Sequence, residues 1–310
     1  MGTPSIIEIT TDPQQRFVYV LNVGAQAAGE LIGHPGIGGF KINQNTGALE
    51  RVPGSPIIFT AITNANFIVV DGSGHFLFQP NGQVSGPGTS FDVYSIDQNS
   101  GALKKTLAGS NAPPVGAFSI ASSDGRFLFN AGNGLVEAFS IAPQTGRLTA
   151  VAGTPISASG SAGPMAITSD GKFLYVANQT EGTVSVFAVS MMGSLAPVAG
   201  APFPIDTLAQ NLVLSPDGRF LYVAAFPGTI STVKGYAVNP SAGKFAPISG
   251  AVIDNASSVT LDLSGKFAYI TQNLDGLTVY SIDSMTGGLT RVSHAAGPFS
   301  DDANDVITTR

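Results

Sequence analysis

The sequence predicts an all-β fold, a β-propeller of four-stranded antiparallel blades, and three observations predict it. A phrase of about 47 residues recurs six times along the 310-residue chain, the period of a propeller blade. Each copy places a tight turn before an aromatic strand, as in Ser215-Pro216-Asp217-Gly218-Arg219-Phe220-Leu221-Tyr222-Val223. The composition, with 38 Gly and 20 Pro, suits many turns and few helices. The repeat runs from end to end without a linker, which predicts one domain over 1–310. Its units span about 5–58, 64–113, 117–156, 164–205, 211–253 and 258–299, with a stub at 304–310.

Within each unit the elements follow in order. Seven first-strand candidates lie near Ile6–Glu8, Phe67–Val70, Phe118–Ala121, Met165–Thr168, Leu212–Leu214, Val259–Leu261 and Val306–Thr308. Two-residue turns come next, at Gln14-Gln15, Ser73-Gly74, Asp124-Gly125, Asp170-Gly171, Asp217-Gly218 and Ser264-Gly265, which tolerate the positive φ of a hairpin. Second strands open on Phe17, Phe76, Phe127, Phe173, Phe220 and Phe267. Third strands alternate as half-buried strands do, for example Val184, Val186 and Phe187-Ala188-Val189. A second turn holds Gly47, Gly101, Gly146, Gly193, Gly243 or Gly287, and a short fourth strand carries Leu49, Leu103, Leu148, Leu195, Phe245 or Leu289. Six full units and the first strand of a seventh fit either a six-bladed propeller or a seven-bladed one with an incomplete last blade. The recurring aromatics are expected to pack blade on blade.

Composition excludes several classes. The net charge is -6, and no run of Lys or Arg offers the basic face that nucleic acid requires. No apolar stretch approaches the roughly 20 residues of a membrane-spanning helix. With no Cys, disulfides and thiolate metal sites are ruled out. The start, Met1-Gly2-Thr3-Pro4, reads as no signal peptide. Only 11% of residues are charged, which favours an extracytoplasmic protein whose signal lies outside this chain, a cytoplasmic one being the alternative. A monomer is expected. No nucleophile elbow, phosphate loop or paired-His zinc helix is present.

The phrases Asp-Gly-Arg-Phe-Leu-Tyr-Val-Ala and Thr-Gly-Ala-Leu, with Gly54-Ser55-Pro56 closing the first unit, resemble lactonase-type propellers. These comprise the 6-phosphogluconolactonase family and the related bacterial propellers built on a Tyr-Val-Thr-Asn phrase. The resemblance covers essentially the whole chain. It implies a seven-bladed fold and, in hydrolytic members, action on a sugar lactone. In those members a His-rich phrase leads into a first strand. Here the corresponding segments read Pro164-Met165-Ala166-Ile167 and Gln210-Asn211-Leu212-Val213, without His.

Candidate residues concentrate where second-to-third-strand loops and blade connections surround a propeller's central channel. Glu30 and His34 lie in the longest such loop, 22–36, and either can serve as general base against a lactone carbonyl. Asn22, Asn81, Asn178 and Gln272 end second strands, where amides can hydrogen-bond a sugar. Asp206, Asp254, Asp301, Asp302 and Asp305 lie in connections and suit Ca²⁺ or another divalent cation, the one cofactor considered. His75 is expected to be a solvated residue after a hairpin turn, and His294 a loop residue after the last fourth strand. The expected function is a lactonase-like propeller that binds a carbohydrate, sugar lactone or protein at the channel mouth, with lactone hydrolysis as the alternative.

Overall fold

The computed structural model describes residues 6–22, 25–27, 30–32, 35–59, 67–81, 90–107, 109–110, 114, 116, 118–205, 208–226, 228, 230–272 and 276–295. They form an all-β fold, a propeller of six four-stranded antiparallel blades, with no helix among the described residues. Blade one contains β1 (Ile6–Thr11), β2 (Phe17–Asn22), β5 (Gly36–Ile42), β6 (Leu49–Arg51) and β7 (Ile57–Ile58); β3 (Ala25–Ala27) and β4 (Glu30–Ile32) make a separate hairpin. Blade two contains β8 (Val69–Val70), β9 (Phe76–Asn81), β10 (Ser90–Ile96) and β11 (Leu103–Lys105). Blade three contains β12 (Phe118–Ala121), β13 (Phe127–Gly132), β14 (Leu135–Ile141), β15 (Leu148–Ala150) and β16 (Ile156–Ser157). Blade four contains β17 (Ala162–Ile167), β18 (Phe173–Asn178), β19 (Thr183–Val189), β20 (Leu195–Pro197) and β21 (Phe203–Pro204). Blade five contains β22 (Ala209–Leu214), β23 (Phe220–Ala225), β24 (Thr232–Val238) and β25 (Phe245–Asp254). Blade six contains β26 (Ala256–Leu261), β27 (Phe267–Gln272), β28 (Gly276–Ile282) and β29 (Leu289–Ala295). The seventh-blade stub, 304–310, lies outside the described residues.

Second and fourth strands open on the residues the repeat predicts. Three features differ from expectation. The first strands of blades four to six begin earlier, at Ala162, Ala209 and Ala256, and each carries a bulge. The first hairpin loops are longer than two residues, because closure runs from Asp12 N to Phe17 O and from Ser215 N to Phe220 O. An inner turn, Gly218 N to Ser215 O, sits inside that closure. The cause is a side chain absent from a two-residue turn. Asp12 Oδ1 accepts from Phe17 N at 2.8 Å, and Ser215 Oγ accepts from Phe220 N at 2.9 Å. Asp71, Ser122, Thr168 and Asp262 do the same in the other blades. Third, blades one, three and four add a short fifth strand, since Pro56, Pro155 and Pro202 interrupt the outer edge with no N–H to donate.

The chain divides into two compact units, 1–130 with 137–154, and 131–136 with 155–310. In the first unit, Phe17, Tyr19, Leu21 and Ile37 of blade one pack on Leu77, Tyr94 and Ile96 of blade two. Phe76, Phe78, Phe91 and Val93 pack in turn on Leu128, Phe139 and Ile141. In the second unit, Tyr175, Val184 and Val186 meet Leu212, Leu221 and Val223, and Tyr222 and Val233 meet Val259, Ile270 and Tyr280. The aromatic stripes of β2, β9, β18 and β23 are therefore blade-to-blade packing. The turn glycines complete it: Gly101, at φ 74°, lies so that a Cβ would come within 2.4 Å of Phe17 Cδ1. Gly146, Gly243 and Gly287 stand equally close to Phe76, Phe173 and Phe220.

Candidate functional site

The predicted amides end their second strands as expected, each opposite the start of a third strand: Asn22 against Gly36, Asn81 against Ser90, Asn178 against Thr183 and Gln272 against Gly276. Their surroundings differ. Asn178 is fully buried, and its Nδ2 donates to Thr183 Oγ1 at 2.9 Å and to Ser185 Oγ at 3.0 Å. Ser185 Oγ donates onward to Ala158 O at 2.7 Å. These bonds fix the amide's orientation and leave Oδ1 buried without a donor. Beside it, Gln179 Nε2 donates to Ala209 O at 3.0 Å, and Glu181 accepts from Ser161 N at 3.0 Å. The side chain of Asn81 lies outside the described residues.

At the same end of blade six, Gln272 Oε1 accepts from Thr278 Oγ1 at 2.7 Å, and Gln272 Nε2 donates to Asp254 O at 3.3 Å. His294 Nδ1 lies 2.9 Å from the same Thr278 Oγ1. Thr278 has one proton and gives it to Gln272, so it accepts from the imidazole, whose Nδ1 carries hydrogen. This corrects the expectation that His294 is a loop residue: it lies inside β29, paired with Thr278, because the last fourth strand runs on through a bulge between Val279 and Tyr280. His75 is exposed after its turn, as expected, with Nδ1 2.9 Å from Ser73 Oγ.

Glu30 opens β4, opposite Ala27, and its side chain is outside the described residues, as is all of His34. Asp206, Asp301, Asp302 and Asp305 also fall outside them, while Asp254 is exposed at the end of β25. No group of three or more His, Cys, Asp or Glu side chains suited to a metal ion occurs among the described residues.

Blades two and three hold polar side chains that the repeat alone did not single out. At the fourth position of the second strand, where other blades place Val20, Val176, Val223 and Ile270, they place Gln79 and Asn130. Gln79 is fully buried, its amide oxygen and nitrogen both without a partner. Asp92 pairs with it across the ladder and is held by Lys105 Nζ at 2.7 Å. Asn130 is saturated, with Nδ2 donating to Gly116 O and Phe118 O and Oδ1 accepting from Gly116 N. Glu137, on β14, is 3% exposed, and burial pushes its carboxyl up to about 7. Comparing the six copies position by position exposes this signal, since polar residues replace apolar ones at a single register. Carboxyls that titrate near neutral pH are a mark of functional sites.

Comparisons with known proteins agree with this architecture. Residues 115–202 match the family described as "Lactonase, 7-bladed beta-propeller". No curated protein sequence matches the chain. Among solved structures, a protein from Bacteroides uniformis provisionally assigned as a 6-phosphogluconolactonase superposes with a TM-score of 0.70 at 18% identity, over 91% of this chain and 82% of its own. The periplasmic gluconolactonase of Pseudomonas aeruginosa gives 0.68 at 21% identity, over 93% and 84%. A functionally unknown protein from Desulfotomaculum acetoxidans gives 0.69 at 15% identity, over 96% and 87%. At these identities the likeness is one of fold. No helix among the described residues is long and apolar enough to cross a membrane. The chain is a β-propeller that resembles the lactonase-type propellers, in its repeat phrases as in its blades.

Proposed function

We propose that this protein is a ligand-binding propeller, with a polyhydroxylated ligand such as a sugar, aldonate or sugar lactone bound at the loop-bearing end of its blades. In a propeller that end surrounds the mouth of the central channel. The observation that carries the reading is Asn178. Its amide is locked by two hydroxyls, and its oxygen is an acceptor that the chain leaves without a donor. A buried acceptor is costly unless something outside the chain donates to it, and ligand hydroxyls are such donors. Gln272, held by Thr278 and the Asp254 carbonyl, presents a second prepositioned amide at the corresponding strand end. An extracytoplasmic location accords with the low charge and with the periplasmic fold neighbour.

The test is calorimetric titration with gluconate, glucono-lactone and glucose, comparing the native chain with Asn178→Ala. Saturable binding weakened about tenfold in the variant is the expected outcome. Binding unaltered in the variant, or none at all, removes the proposal.

Lactone hydrolysis is the second reading, favoured by the match of residues 115–202 to a lactonase family. Glu30 or His34 would then act as general base. Proton release from 6-phosphogluconolactone, above the spontaneous rate and abolished in Glu30→Ala/His34→Ala, is its expected signature.

A further inference from the structure

Blade five differs from its two neighbours at the loop end, where it is apolar. Ala225 stands at the strand end that carries Asn178 in blade four and Gln272 in blade six. The residue that follows is Phe226, against Gln179 and Asn273. Leu208, just before the Ala209 that opens β22, takes the place of Ser161 and Asn255. Ile230 lies in the same loop as Phe226, between β23 and β24.

The backbone draws these residues together. Leu208 N donates to Gln179 O at 2.7 Å, and Phe226 N donates to Leu208 O at 3.2 Å. Leu208 is 42% exposed and Ile230 46%, while Phe226 is half-buried. Leu208 is also held at φ 54°, in the left-handed region that Asn255 occupies at 58° one blade on. Asn tolerates that conformation, whereas Leu is strained by it. A strained leucine that faces solvent adds little to the core, so packing within the chain does not account for it. Contact with a molecule outside the chain does.

Amides border the apolar stretch on both sides. Gln179 Nε2 donates to Ala209 O at 3.0 Å and Gln272 Nε2 to Asp254 O at 3.3 Å, so both side chains are anchored on the backbone of blade five. Each amide nitrogen carries a second hydrogen that these bonds do not use. A ligand that satisfies both the amides and the surface between them has hydroxyls and an apolar part. Leu208 and Ile230 are aliphatic and open to solvent, which suits a flexible alkyl chain lying along the surface.

We propose that the loop end of blade five is a subsite for an alkyl substituent of the ligand. The chain lies on Leu208, Phe226 and Ile230, and the hydroxyls bond the flanking amides. This inference rests on the reading under Proposed function and narrows its ligand class to alkyl-substituted sugars and aldonates.

The experiment is calorimetric titration of the full chain with two pairs of probes, hexyl and methyl β-D-glucoside, and N-hexyl and N-methyl gluconamide. The alkyl chain alone is represented by 1-hexanol. In at least one pair the hexyl compound should bind saturably and about tenfold tighter than its methyl counterpart, with hexanol weaker than the hexyl compound. Leu208→Asn, the residue blade six carries at nearly the same φ, should abolish the hexyl advantage and leave the methyl compound's affinity unchanged. Its urea midpoint should not fall, because Asn relieves the strain. Asn178→Ala should weaken both members of the pair alike. Equal affinity for hexyl and methyl compounds in both pairs overturns the subsite and leaves the reading under Proposed function standing. A hexyl advantage that survives Leu208→Asn does the same, as does a lowered midpoint, which would make Leu208 a packing residue. Hexanol binding as tightly as the hexyl compounds also overturns the subsite. Failure of every glucoside and gluconamide, with gluconate and glucose failing too, overturns both.

Discussion

The two ends of each blade are built differently. At the hairpin end nearly every polar group is committed within the chain. Asp12 caps the turn and pairs with Arg16 at 2.9 Å, and Arg16 reaches across to Gln98 of the next blade. Arg219 makes the same crossing to Ser284 O. Tyr19 and Tyr222 donate to the turn carbonyls of Gly101 and Gly287, each at 2.8 Å. At the loop end the copies diverge to Asn22, Asn81, Gly132, Asn178, Ala225 and Gln272, and an amide oxygen is left over. Uniformity at one end is thus a stability device repeated blade by blade. Variation at the other end leaves side chains that the repeat does not commit, and the proposed binding site rests on them.

The largest effect is expected where that uniformity is tightest. Gly47 and Gly101 occupy equivalent turns at φ 71° and 74°, but a Cβ on Gly47 meets nothing within 4 Å, whereas one on Gly101 strikes the buried Phe17 ring at 2.4 Å. Gly47→Ala carries only the cost of a left-handed alanine, about 1 kcal/mol. Gly101→Ala adds an overpacked core and should cost roughly 3 kcal/mol. Urea unfolding of the two variants gives both numbers. Equal costs would mean that the ring moves aside and that the turn glycine serves backbone conformation alone.

The second comparison sets the charged hairpin end against the buried polar register of blades two and three. Glu137 has a folded pKa of about 7 against an ordinary value of 4.5, so the folded state keeps a proton that the unfolded chain has released. Stability is therefore full below 4.5, falls as pH rises towards 7, and levels off above it. The loss should be at most roughly 3 kcal/mol. Glu137→Gln should flatten that part of the profile and be the more stable protein at pH 8. A profile unchanged by the substitution would place Glu137 in contact with water or a counter-charge.

Much of this was legible in the sequence. The Phe that opens each second strand, the Gly of each outer turn and the residue that opens each fourth strand recur at fixed spacing, and the structure puts each where the repeat predicts. The contact between Gly101 and Phe17 was not legible, because the partners are 84 positions apart and only stacking brings them together. His294 was misread for a related reason. A bulge adds a residue to β29 that spacing alone cannot register, and the strand continues past the point where the fourth strands of blades one to four stop. The loop-end amides were legible as positions but not as chemistry. Whether Asn178 is a lone turn residue or a locked acceptor depends on Thr183 and Ser185 across the ladder.

The smallest expected effect tests how firmly the hairpin end ties each blade to the next, within one residue type. Tyr222 and Tyr175 sit at the same position of neighbouring second strands, and both are fully buried. Tyr222 donates to Gly287 O, while the Tyr175 hydroxyl has no partner. Tyr222→Phe removes one hydrogen bond and strands a carbonyl, which should cost about 1 kcal/mol. Tyr175→Phe removes a buried hydroxyl that makes no bond, so it should be neutral or stabilise slightly. Both swaps keep the ring and its packing, so a difference between them isolates the hydrogen bond. If Tyr175→Phe destabilised as much as Tyr222→Phe, that hydroxyl would have a partner in solution, and the fourth blade would be tied to its neighbour as the fifth is. If both were neutral, the stability of the hairpin end would rest on the Phe–Gly contacts and the side-chain caps, and the tyrosine bonds would set blade register rather than strength.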